Sequence, residues 1–313
     1  MATKTLGQQA SKAMYIINKL MKKGNIPFDV ACQLFDKMIV PILVYAAEIW
    51  GCNSYEYIER IHRKFLRQQL GVSSSTSNIV VYGETGRYPL SVIYLVKCVK
   101  YWLKLVEMDN NRYPKACYKM LYNLDENNRQ TWVSFVKETL YKYGFMYAWL
   151  QQGVGDKTRF IYEFKQRLID MWKQEWHAGL DTPKLSTYKL FKLESCQEKY
   201  LTCVRYRRHL VALAKFRCSN HKLLIEEGRR QNVPRQNRLC QFCLTQNEVF
   251  IEDEYHVLFV CKLYDDIRRT FIDKAYYASP SLHTLAQLLG SNSTYTLNEL
   301  AVFIHNMFKL RET

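Results

Sequence analysis

The sequence has no Gly-rich phosphate loop, no Gly-x-Ser-x-Gly elbow and no His-Glu-x-x-His helix. The commonest signatures of nucleotide, acyl-transfer and metalloprotease chemistry are therefore missing. No window approaches about 18 uninterrupted apolar residues, so no membrane span is expected. The stretch from Met1 to Leu20 mixes Lys4, Lys12 and Lys19 among small polar residues and lacks the apolar segment of a secretory leader. No run alternates with period two, and no internal repeat is visible.

What is present is a chain of 313 residues, long enough for a sizeable core and two or more domains. Its 48% apolar and 14% aromatic content excludes a disordered chain. Ten cysteines without a leader predict reduced thiols and an intracellular protein, nuclear or cytoplasmic. Net charge is +16 and uneven, with 14 Lys/Arg against 4 Asp/Glu between residues 184 and 240. The last 73 residues, 241–313, are acidic, with 6 Lys/Arg against 9 Asp/Glu.

A basic block of this kind is the footprint of a polyanion binder. Eight of its 14 cations are Arg, whose fork suits phosphate, and Tyr188, Phe191, Tyr200, Tyr206 and Phe216 are interleaved for stacking. The alternative is a solvated helical face with aromatics in the core. The candidate contacts are Arg205, Arg207, Arg208, Lys215, Arg217, Arg229 and Arg230. Arg60, Arg63, Lys64 and Arg67, at helical spacing, offer a second patch.

Cys240, Cys243, His256 and Cys261 carry the sharpest signal. Cys-x2-Cys, twelve residues, then His-x4-Cys supplies four soft or borderline donors, the number a structural Zn²⁺ takes in a tetrahedron. Cys218 and His221, just upstream, are the alternative donors. The spacing overlaps that of a DNA-reading finger, but the residues before His256 read Glu252-Asp253-Glu254, which would repel phosphates. The module therefore reads as a structural clip rather than a base reader.

Apolar periodicity is helical throughout and predicts an all-α fold. Leu6, Ala10, Ala13, Ile17 and Leu20 form the first stripe, stopped at Gly24-Asn25; Pro41 kinks the second helix; Ser54 caps a third that Gly71 ends. A polar loop covers 73–78, and a long helix runs from Pro89 to Glu107, stopping at Asp109-Asn110-Asn111. Further helices are expected around Trp132, over 160–176, near 186–193 and 205–216, over 263–276, and over 297–310. Asp265-Asp266 superficially matches a polymerase's aromatic-x-Asp-Asp, but Leu263 stands at the aromatic position and the stretch reads as a helix start.

Six runs, in this order, carry a family resemblance: IVPILVYAAEIWG (39–51), IERIHRKFL (58–66), YGETGRYPL (82–90), FRCSNH (216–221), IEEGR (225–229), and EDEYH (252–256) within the Cys/His cluster. Together they resemble the carboxy-terminal part of a non-LTR (LINE-type) retrotransposon reverse transcriptase, after the polymerase palm. The resemblance implies a thumb-like helical bundle over 1–125, a helical linker with the basic block over 126–235, and an irregular zinc module with C-terminal helices over 236–313. It implies binding of RNA or DNA without catalysis, since the family's catalytic aspartates belong to a palm upstream, which would have to act in trans. The competing expectation is a helical protein-interaction module, or a decayed fragment, that keeps the fold without nucleic-acid binding.

Overall fold

The computed structural model describes residues 2–23, 26–52 and 56–312. The expected stop at Gly24-Asn25 and the expected cap at Ser54 lie outside them. Helix accounts for 71% of the structure, and no strand forms among the described residues, so the fold is all-α. None of the described helices is long and apolar enough to cross a membrane.

The main helices are α1 (Ala2–Lys23), α2 (Phe28–Leu34), α3 (Glu56–Leu70), α4 (Asn78–Thr85), α5 (Ser91–Glu107), α6 (Tyr113–Glu126) and α7 (Trp132–Lys142). Then follow α8 (Lys157–Gly179), α9 (Arg207–Arg217), α10 (Leu224–Arg230), α11 (Gln241–Thr245), α12 (Asp265–Phe271), α13 (Leu282–Leu289) and α14 (Thr294–Glu312). They gather into two compact units that interleave along the chain. One comprises Met1–Gly24, Val30–His62 and Tyr88–Glu175; the other comprises Asn25–Asp29, Arg63–Arg87 and Trp176–Thr313. This differs from three consecutive regions. The boundaries at 125 and 235 come from the resemblance and divide the chain in sequence order, whereas each compact unit draws on segments distant in the chain.

In the first unit α1 buries Ala10, Met14 and Ile17, while Leu6 and Ala13 are only half-buried, so the inward stripe is rotated from the expected one. After α2 the chain makes a π-turn over Phe35–Ile39, in which Val40 N–H donates to the Phe35 carbonyl, and helix resumes over Val40–Leu43. Pro41 follows that turn directly: it lacks a donor and crowds the preceding turn, so the helix is re-registered instead of continuing straight. The core is aromatic. Trp102 of α5 stacks on Trp149 at 5.9 Å, Tyr122 covers the same Trp149 at 5.7 Å, and Phe145 meets Phe160 and Phe164 edge-on at 5.3 and 5.4 Å. Such rings bury roughly 150–250 Å² each and dominate the unit's apolar stabilisation.

The second unit packs α9 and α12 against α14. Gly71, at φ 69°, closes α3 with Val72 N–H donating to the Arg67 carbonyl at 3.1 Å. Helix α4 has no counterpart in the expected elements, and Gly86 at φ 63° ends it. A Cβ at Gly86 would stand 2.2 Å from the Gln197 backbone nitrogen, where Thr85 and Gln197 form an isolated antiparallel bridge.

Gly86→Ala should therefore lower the unfolding free energy by about 2–4 kcal/mol, from left-handed strain plus steric conflict with backbone. Denaturant titration reads this directly, and a change under about 0.5 kcal/mol would contradict the packing described.

Candidate metal centre and basic face

Cys240, Cys243, His256 and Cys261 are all buried, and their donor atoms lie within 4.8 Å of one another. The Cys240 and Cys261 sulfurs are 3.9 Å apart, Cys243 and Cys261 likewise 3.9 Å, and Cys243 Sγ is 3.4 Å from His256 Nε2. A tetrahedron with bonds of about 2.3 Å to sulfur and about 2.0–2.1 Å to nitrogen has edges of roughly 3.8 Å between sulfurs and roughly 3.6 Å from sulfur to nitrogen. The quartet is thus sized for one metal ion and compatible with zinc.

Local backbone explains the convergence. Arg238 and Glu252 flank the Leu239–Ile251 bridge: Cys240 N–H donates to the Phe250 carbonyl at 2.8 Å and Glu252 N–H to the Arg238 carbonyl at 2.9 Å. Cys240 then begins α11, whose short turn brings Cys243 alongside. Residues five apart fall on different faces of an α-helix, yet His256 and Cys261 share a ligand side. A π-turn over His256–Val260 achieves this, with Cys261 N–H donating to the His256 carbonyl at 2.8 Å. Buried Arg268 braces that turn by donating to the carbonyls of Leu258 (2.7 Å) and Cys261 (2.8 Å) while pairing with Asp265. The His256 ring is held by stacking on Phe250 at 5.3 Å, and its Nδ1 has no hydrogen-bond partner.

The sulfurs cannot all ionise unaided. The Cys261 thiol's hydrogen bond, outweighing burial, brings Cys240 down to about 3. Burial and then the neighbouring Cys240 lift Cys243 to about 11, and the bond to Cys240 together with burial drives Cys261 well upward. One thiolate is stable there, and three require a cation among them.

Neither alternative donor joins the quartet. Cys218 lies buried outside it, and His221 Nε2 meets Glu254 at 3.1 Å. The acidic run before His256 does not form a solvent-facing strip. Arg311 grips Glu252 with two bonds of 2.8 Å, Glu252 also accepts from Leu224 N–H, Asp253 accepts from His256 N–H, and Glu254 turns in to His221.

The basic candidates separate by burial. Arg205, Arg207, Arg208 and Lys215 are exposed on or just before α9, and the Arg205 and Arg208 guanidiniums cover the exposed Tyr206 ring at 5.3 and 5.7 Å. Arg207 donates to the Gln68 carbonyl at 2.8 Å. Arg229 is half-buried against Glu226 and Arg230 pairs with Glu227, which offsets both charges. On α3, Arg60 and Lys64 are exposed, but Arg63 is buried and Arg67 is tied to Thr76 O and Asn78 Oδ1, so the four do not form one open face. Asp265 and Asp266 sit in the first turn of α12 with Arg268 on Asp265.

Arg217 is the clear correction, being fully buried. It grips Glu84 with two bonds of 2.9 Å, pairs with Glu198 at 2.7 Å, donates to the Leu289 carbonyl, and lies over Phe191 at 4.5 Å. Buried Lys192 completes the group on Glu198 and on the Cys196 carbonyl. Helical periodicity alone would have placed position 217 beside Leu210, Leu213 and Ala214, on the inner face. Burial by itself would push the Glu84 carboxyl up, but the Arg217 charge and hydrogen bonds outweigh it and hold it below the ordinary value.

Purified protein should hold one equivalent of metal, and Cys243→Ser should weaken metal affinity at least tenfold, read by competition with a chromophoric chelator. A metal-free preparation with unchanged stability after chelator treatment would refute the centre. Arg217→Met should cost about 3–5 kcal/mol by stranding the buried Glu84 carboxylate and taking one of two cations from the half-buried Glu198. Because the Glu84 value is depressed on folding, its contribution is fully present above the ordinary glutamate range and disappears as pH falls through the folded value. Glu84→Gln should therefore flatten the acid limb of the stability profile, measured by urea titration across pH.

Set against protein-family models, curated proteins and solved structures, the chain matches none of them.

Proposed function

We propose that this chain is a zinc-stabilised, non-catalytic nucleic-acid-binding module of the kind found after the palm of a non-LTR retrotransposon reverse transcriptase. The observation that carries the proposal is the start of α9, where Arg205, Arg207 and Arg208 stand exposed around Tyr206 with no carboxylate paired to them among the described residues. Uncompensated guanidiniums favour phosphates, and a half-exposed tyrosine ring can accept a base. Lys215 extends the charge along the same helix. Zinc suits the Cys₃His quartet because it tolerates the tetrahedron and needs no redox partner. Two of the runs that carry the family resemblance, 82–90 and 216–221, meet through the Glu84–Arg217 pair. The metal's role in this reading is to hold the segment that Glu252 and Glu254 connect to α10, α14 and His221.

The test is a binding titration of the full chain against single-stranded RNA, duplex DNA and an RNA–DNA hybrid at several salt concentrations. Loss of each phosphate contact, by Arg205→Ala, Arg207→Ala or Arg208→Ala, should lower the salt slope on duplex DNA by about one, with little change in sequence preference. Salt-independent affinity, or triple-variant binding equal to the parent with metal content retained, would overturn the proposal and favour a protein-interaction module.

A further inference from the structure

A second cationic site lies in the other unit and has no part in the surface just described. The last two turns of α5, the corner leading to α6 and the first two turns of α8 line an open cleft of about 620 Å³. That size falls in the range of small-molecule sites, roughly 300–1,000 Å³. Its floor is apolar, made by Leu103, Met108 and Ile161. Its walls are charged, and the charges do not cancel. Lys157 pairs with Glu107, and Asp109 accepts the Asn111 N–H at 2.8 Å. Lys100, Lys104 and Arg112 have no carboxylate partner among the described residues and leave the cleft with two excess positive charges.

The cleft is preformed. Lys100, Leu103, Lys104 and Glu107 recur at helical spacing and so share one face of α5. Lys115 Nζ donates to the carbonyls of Leu105 (3.1 Å) and Val106 (2.5 Å), which closes the end of α5 and fixes the corner that carries Asp109 and Arg112. Behind the floor, Trp102 Nε1 donates to Tyr118 OH, which donates to Gln152.

We propose that this cleft binds a phosphate monoester bearing a ring, with the dianion held by Lys100, Lys104 and Arg112 and the ring laid on Leu103, Met108 and Ile161. Two excess positive charges match a monoester dianion better than a singly charged diester. The apolar floor gives no advantage to inorganic phosphate. A free mononucleotide and the 5′-phosphate end of a strand both present this chemistry.

The experiment is isothermal titration of the full chain with AMP, adenosine and inorganic phosphate. AMP should bind, with adenosine and inorganic phosphate each at least tenfold weaker. Lys104→Glu and Arg112→Glu should each weaken AMP by about tenfold or more, with the milder Lys104→Gln showing a smaller loss and a parental thermal midpoint. Arg205→Glu/Arg208→Glu should leave AMP affinity unchanged, which separates failure of this site from failure of the nucleic-acid surface. In that same background, 5′-phosphorylated and unphosphorylated dinucleotides distinguish the two sources. Absence of AMP binding up to about 10 mM, or AMP binding indifferent to both charge reversals, would overturn the proposal.

Discussion

The second unit is organised around one buried arginine. Placing Arg217, Glu84 and Lys192 in the interior, with Glu198 close to it, removes their charges from water at a cost of several kcal/mol per ion. That cost is met only if each group finds its partners at once. Arg217 has two carboxylates, a carbonyl and two aromatic faces; Lys192 has a carboxylate and a carbonyl. The chain segments delivering these partners, α4, the 188–200 stretch and α9, are therefore fixed relative to one another by electrostatics as well as by packing. Removing any one of them strands a charge.

The same logic recurs around the metal quartet at smaller scale. Three successive carboxylates, Glu252, Asp253 and Glu254, each answer a different element: Arg311 with the start of α10, the π-turn's first N–H, and His221. The four donors gather the backbone of 240–261 inward, and these acids connect it outward. The quartet is thus part of the second unit's architecture, not an appendage to it.

How much of this could be read from sequence follows from what each signal encodes. The convergence of Cys240, Cys243, His256 and Cys261 was legible because coordination chemistry restricts both the residue types and the spacing of a candidate metal group. The long helices α5, α8 and α14 were legible because periodicity sustained over four or more turns leaves little room for another assignment. Helices α4 and α6 escaped because their inward faces are short or mixed, with only Tyr118 buried on α6. Charge counting could not separate exposed Arg205 and Arg208 from buried Arg217 and Arg63, since composition records how many cations there are and not which way each faces. The acidic run was misjudged for the same reason. The π-turns have no sequence pattern at all. One is followed by Pro41, and the other lies between two of the candidate donors, His256 and Cys261.

The Glu84–Arg217 pair also dictates an order of events during synthesis. Its partners are 133 residues apart, and at about 5–20 residues per second the ribosome needs roughly 7–27 seconds to make the second after the first. Throughout that interval α4 has emerged without the arginine that its glutamate requires, whereas all of Tyr88–Glu175, which belongs to the first unit, is completed in between. The nascent chain is therefore obliged to carry an early segment of the second unit as an unfinished edge, and such a segment is where a chaperone would have its longest window to act.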